Sequence, residues 1–500
     1  MLPATNEILH EIDTAAEARK AAIRAAASSY PTDGTVYYVA ETGSDEADGK
    51  SPETAIRSLD AVNALELTEG DTVLFKRGDT FRGKLSAKGG VTYSAWGEGA
   101  KPILSGSPEN CAKPECWTKL EGSENVWVYR TPLLDVGGIV FDNGKTAGFK
   151  IIPIWAGGHY RSRGDESVFD ERRDLKHNLG FFSRINAAPM DSIPDLWHTT
   201  GYLYLRCDEG NPGEVFQSIE LFTRGNNIAV AGDNVTIDNL CIMHCGCHGI
   251  GTGNRNRLTV RNCELGWIGG CLQGYANNDG RKPFRYGNGI EIYVSCKDFT
   301  VENCYIYQVY DAGVTHQFKG NAGERTVSME NVLYKDNLIE NCIYSIEYFL
   351  EQDNNDEQFM KNILMTGNIC RFCGYGWGSF YSRAAHIKGW DHRNIAENFV
   401  IENNIFDRSR SMLIHCGVQE EKHLPVMRGN TYINRADDPT RTLGRYCERG
   451  GSTFGHFTER VPYSDAEKFN AEVMHDESGK FYCVTEEPVF DGRWPSGEEK

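Results

Sequence analysis

Val235-Thr236-Ile237-Asp238-Asn239-Leu240 is answered further along by Leu258-Thr259-Val260-Arg261-Asn262-Cys263 and again by Phe299-Thr300-Val301-Glu302-Asn303-Cys304. Leu338-Ile339-Glu340-Asn341-Cys342, Leu364-Met365-Thr366-Gly367-Asn368-Ile369 and Phe399-Val400-Ile401-Glu402-Asn403-Asn404-Ile405 continue the series. Each unit alternates apolar and polar residues, reaches an asparagine, and resumes with a small or branched apolar residue. Alternation is the signature of a strand with one buried face. Asparagine tolerates left-handed backbone at a tight turn, and its amide both donates and accepts along a stack. The intervals are irregular, so a short coil is constant and loops of varying length leave it on one side. The unit predicts an all-β right-handed parallel β-helix with an asparagine ladder at one corner. Cysteines after the turn then serve as small apolar fillers.

Outward from residues 226–436, which carry the repeat, the rest of the chain divides by pattern. Residues 1–34 read as a helix rich in Ala, Glu and Arg, stopped at Pro31 and capping an apolar surface. Residues 35–106 read as the first coils, and 107–225 as an inserted β-rich subdomain with Trp117, Trp127, Trp155 and Trp197. Residues 437–500 read as an acidic cap with a last strand near Lys480-Phe481-Tyr482-Cys483-Val484. The net charge of −18 over 500 residues argues against nucleic acid or an anionic membrane as partner, since both need a basic face. No apolar run is long enough for a membrane helix. The first residues lack a basic stretch followed by an apolar one, and sixteen cysteines sit largely in strand patterns. Free thiols in a reducing cytoplasm are therefore expected, with secretion the alternative if a leader has been removed.

Within the repeat, glycine-led strands recur: Gly249-Ile250-Gly251, Gly289-Ile290-Glu291, Gly313-Val314-Thr315, Ser345-Ile346-Glu347 and Gly378-Ser379-Phe380. If the isoleucines and Val314 point inward, then Glu291, Thr315 and Glu347 share the outward face. Coils stack at about 4.8 Å, which places Glu291 and Glu347 two rungs apart and Asp311 at the groove edge beside Glu291. Grouped carboxylates suit glycosidic-bond hydrolysis, where one group is the nucleophile or base and another is kept protonated as the acid. Glu291, Asp311 and Glu347 are the catalytic candidates. His248 is placed to bind substrate. Trp267 and Tyr275 on one side, and Tyr381, Arg383, His386 and Trp390 on the other, are expected on loops over the groove, where aromatic faces stack on sugars and Arg binds uronate carboxylates. His316 falls on the inward register, as a core histidine or a substrate ligand. Cys241, His244, Cys245, Cys247 and His248 resemble a zinc cluster, but their crowding in one strand and turn opposes tetrahedral closure. The acidic loop at Asp45 and Asp48 reads as a solvated turn, with calcium the alternative.

The runs YYVA-TGSD--DG-SPETA, GDTVLFKRGDTFRG and Y-AWGEGAKPILSGS resemble the opening coils of bacterial β-helix enzymes acting on polysaccharides. Together with GNGIEI…NCYIYQVYDAGVTHQ, the chain over 35–436 resembles β-helical glycoside hydrolases of families 120 and 141. That resemblance implies hydrolysis of xylan- or pectin-derived oligosaccharides by carboxylates on adjacent coils, Asp311 and Glu291 first and Glu347 third, with no cofactor and no metal. Two alternatives stay open. A calcium-dependent lyase would use the three acids to hold the ion and Lys319 or Arg383 as base, although no basic residue is expected on a rung beside the acids. A non-catalytic carbohydrate-binding solenoid would need the aromatics without the acids.

Overall fold

The computed structural model describes residues 5–152, 169–187, 195–276, 282–320, 326–352, 359–378, 384–389, 395–418, 421–446 and 460–488. Its strands form a parallel β-helix with three faces. The first face stacks Leu85–Ala87, Ile228–Val230, Ile250–Asn256, the start of Ile290–Glu302, Ala312–Gly320, Tyr344–Gln352, Ala385–Gly389, Met412–Cys416 and Thr442–Tyr446. A second face runs from Val36–Val39 through Val235–Asp238 and Ser328–Lys335 to Val426–Arg428. The third runs from Thr80–Arg82 through Cys241–Cys245 and Tyr305–Val309 to Lys480–Cys483. One apolar core fills the tube, with Ile250, Ile290, Val314, Ile346, Ile387 and Ile414 in register along the first face.

Between the second and third faces the chain turns through left-handed backbone at Asn239, Asn262, Asn303, Asp336, Gly367, Asn403 and Gly429. The residue after each turn points inward. It is Leu240, Cys263 and Cys304 in the earlier coils, all buried. Asn337, Asn368, Asn404 and Asn430 take over in the later ones, each amide bonding to the next at 2.9–3.0 Å until Asp476 closes the series. The ladder is therefore one position inside the turn. Asn341-Cys342 does not belong to it: Asn341 follows the third-face strand Leu338–Glu340, and Asp336-Asn337 makes the turn. A second, exposed ladder of Asp298, Asn331, Asn362 and Asn398 lines another corner.

The helix Glu7–Ala25 is present, and its apolar stripe covers the flank of the tube. Leu9 and Ile12 meet Ile433 and Val484, while Ala16 and Ile23 meet Tyr305, Leu338 and Ile369. It runs from the last coils toward the first, tied by Lys20 to Glu340 at 3.5 Å and by Arg24 to Glu264 through two hydrogen bonds of 3.0 and 2.7 Å. In the insertion, five strands form a separate sheet, while Val136–Phe141 and Ile219–Thr223 extend the third face. At the far end Tyr463, Ala466, Phe469 and Met474 close the core. Asp45 and Asp48 accept hydrogen bonds from Ser58, Arg57, Lys50 and Thr54, so both carboxylates cap a local turn. All fifteen cysteines among the described residues are unpaired and buried.

Candidate active site

The first face carries an outward row of Gly251, Glu291, Thr315, Glu347, Lys388, His415 and Arg445, one residue per coil, with a second row of Gly253, Tyr293, Gln317 and Phe349 beside it. Glycine starts the first-named rungs at Gly249, Gly289 and Gly313 because neighbouring backbones crowd the corner. A Cβ on Gly289 would lie 2.4 Å from the Gly313 carbonyl oxygen. The expected stacking of Glu291, Thr315 and Glu347 is observed. The next rung is Ala385–Gly389 rather than Gly378–Phe380, since Ile346 faces Ile387 and Glu347 faces Lys388. A basic residue therefore does occupy a rung beside the acids, against the sequence expectation. The long loop before it concealed the alignment.

At the corner above the row, side chains and backbone interlock. Asn226 Oδ1 accepts from the His248 N–H at 3.1 Å, His248 Nδ1 from the Asn288 N–H at 3.1 Å, and Asn288 Oδ1 from the Ala312 N–H at 2.9 Å. Because His248 Nδ1 accepts, its proton is on Nε2, which faces Glu291 Oε1 at 3.4 Å. Glu291 Oε2 accepts from the Asn288 amide and from Gln317 Nε2 at 2.7 Å. Three donors thus converge on Glu291, which is 8% exposed.

Asp311 enters the same groove from the corner, its backbone bonded to Gly287, Ile343 and Tyr344. Burial raises its carboxyl from an ordinary 3.8 to about 7, the negative charge of Glu291 pushes it the same way, and the Lys388 ammonium only partly offsets them. The two acids therefore differ in surroundings: Glu291 is ringed by hydrogen-bond donors, while Asp311 is raised by burial and by its neighbour's charge, so that it holds its proton to higher pH than a free carboxyl. That difference suits the division of labour between base or nucleophile and acid.

The groove encloses about 770 Å³. Glu291, Asp311, Glu347 and His248 line it, as do Asn288, Gln317 and Lys388. Its aromatic walls include Tyr286, Tyr293, Tyr344 and Phe284, and the insertion adds Trp197, which is 54% exposed and lies over Arg224 at 4.8 Å. Gln317 was legible as the outward residue after Thr315, and Asn288 as the polar residue before the rung glycine. Trp197 is one of the insertion tryptophans that the sequence offered either as core residues or as the lining of a sugar site, and it lines the groove, whereas Lys388 carried no local signal.

Other expected site residues lie elsewhere. His316 is fully buried inside the tube, where Nδ1 meets the Tyr334 hydroxyl at 2.8 Å and burial depresses it to about 3. His386 is not on an overhanging loop. It is on the strand Ala385–Gly389, fully buried between Ser345 and the Asp407 carbonyl, and depressed by burial to about 4. Trp267 is likewise a core residue at 5% exposure, against Phe222 at 6.5 Å, because the left-handed bend at this position turns it away from the groove. Tyr275 is on the hairpin strand Cys271–Ala276, which pairs with Lys282–Tyr286 at the groove wall. Tyr381, Arg383 and Trp390 lie outside the described residues. The cysteine and histidine cluster disperses: Cys245 joins the tube core, Cys247 accepts from the Tyr286 hydroxyl at 2.9 Å, and His244 meets Ser105 at 3.2 Å and stacks on Phe222. Lys319 is exposed at the end of its strand.

No family model matches the chain, and no curated protein does. Among solved structures, a GH136 lacto-N-biosidase from Eubacterium ramulus is 12% identical, with a TM-score of 0.37 over 90% of this chain and 68% of that one. A family 28 exopolygalacturonase from Yersinia enterocolitica is 12% identical, with a TM-score of 0.38 over 83% of this chain and 69% of that one. An alginate lyase from a Paenibacillus species is 12% identical, with a TM-score of 0.36 over 79% and 94%.

Proposed function

We propose that this chain is a glycoside hydrolase acting on plant cell-wall-type oligosaccharides, derived from xylan or pectin, through a carboxylate pair on adjacent coils. The observation that carries the reading is the unequal environment of Glu291 and Asp311. In this mechanism Asp311 gives its proton to the departing glycosidic oxygen. Glu291, oriented by His248, Asn288 and Gln317, acts at the anomeric carbon, directly or by activating water. Glu347 sits two rungs away and adds negative charge where the sugar ring becomes cationic. The aromatic walls supply faces for sugar rings. Glu291→Gln and Asp311→Asn should each lower kcat/KM on an aryl glycoside by about 1000-fold, with the fold intact by circular dichroism. Full activity in either variant removes this site from consideration. An activated leaving group should rescue Asp311→Asn more than Glu291→Gln, because only the acid role becomes dispensable.

Lys388 gives the lyase reading a point in its favour, since it places a base one rung from Glu347. That reaction leaves an unsaturated uronate. Absorbance at the new double bond on polyuronate, lost with chelator, would establish the lyase and displace the hydrolase.

A further inference from the structure

The outward row changes sign along its length. Glu291 and Glu347 occupy two of its rungs, then Lys388, His415 and Arg445 follow on successive coils. Hydrolysis needs only the acidic half. We propose that the groove contains a carboxylate-binding subsite formed by Lys388, supported by His415 and Tyr344, so that the substrate is an acidic oligosaccharide bearing a uronate beyond the cleaved bond. The proposal rests on the reading that the groove binds a saccharide, and it adds the substrate's charge.

Three observations build the subsite. Lys388 is not a waving surface lysine: it is 4% exposed, lines the groove, and its Nζ donates to His415 Nδ1 at 2.9 Å. An ammonium fixed in this way has lost its rotamer freedom before the ligand arrives, which favours binding. The Tyr344 ring, also lining the groove, lies 5.9 Å from Nζ. A ring face beside a fixed cation matches a uronate, which offers an apolar sugar face and a carboxylate. The placement also fits: Lys388 is three rungs from Glu291, about 14 Å between backbones along the stack, with Asp311 between them, so a carboxylate bound there belongs to a sugar beyond the reacting bond. Glu347, on the adjacent rung, balances the lysine when the groove is empty. This suggests a competing role in which Lys388 serves only as that counter-ion.

The experiment compares binding of trigalacturonate and its methyl ester to the intact chain by calorimetry, with Lys388→Met and Lys388→Arg alongside and thermal melts to establish folding. The free acid should bind at least about tenfold more tightly than the ester, the worth of one charge-assisted hydrogen bond. Lys388→Met should bring the two near parity, and Lys388→Arg should retain a partial preference. Equal binding of acid and ester by the unmodified chain overturns the subsite, as does an acid preference that survives in Lys388→Met. The two readings fail separately. Acid-selective binding without cleavage of any glycoside leaves the subsite standing and removes the hydrolase. Cleavage of neutral glycosides without acid preference does the reverse.

Discussion

Asp311 ties activity and stability to the same proton. Its folded carboxyl titrates near 7, where an unfolded one titrates near 3.8. A raised carboxylate means the protonated form fits the folded site better. Its contribution is complete below the unfolded value and is lost as pH rises through the folded one. Two outcomes follow. The alkaline limb of the kcat/KM profile should fall near pH 7, and Asp311→Asn should abolish that limb along with most of the rate. Wild type should also lose stability against Asp311→Asn between pH 4 and pH 8, by a few kcal/mol in denaturant titrations. A difference that stays flat with pH would mean that Asp311 is ionised in the folded protein.

At the level of elements, the buried asparagine ladder governs how coils stay in register. Asn404 accepts from both the backbone and amide nitrogens of Asn368 and donates to Met365 and Asn430. Asn404→Ala would strand several of these groups in the core. The expected loss is about 3 kcal/mol of unfolding free energy, seen as an earlier urea midpoint. Here the sequence was legible where periodicity was strict. Alternation around Val235–Asp238 and Leu258–Arg261 predicted the strands, and the glycine-led rungs predicted the row of Glu291, Thr315 and Glu347. Legibility ended where spacing drifted. Asn341 matched the turn motif locally, yet Asn337 holds the ladder position. Gly378 looked like a rung, yet the strand begins at Ala385. Trp267 and His386 were judged by residue type, and the local backbone decided their direction.

Among the described residues the tube is built largely of neighbours touching neighbours, and the helix Glu7–Ala25 with its flanks reaches across many coils, as Trp377 does more locally by packing on Phe222 of the insertion at 5.3 Å. The Thr5 N–H bonds the Cys483 carbonyl at 2.9 Å, and Asn6 bonds Thr485, while at the other end Arg261 Nη2 bonds the Ser29 carbonyl at 2.7 Å. Removal of residues 1–30 should lower the melting temperature by several degrees and expose Tyr305 and Leu338, raising the fluorescence of a hydrophobic dye. A stack with only nearest-neighbour contacts can come apart one coil at a time from either end. This helix acts as a clasp on that stack, so the early and late coils share one fate. With the clasp in place calorimetry should record a single sharp transition, and without it the peak should broaden or split.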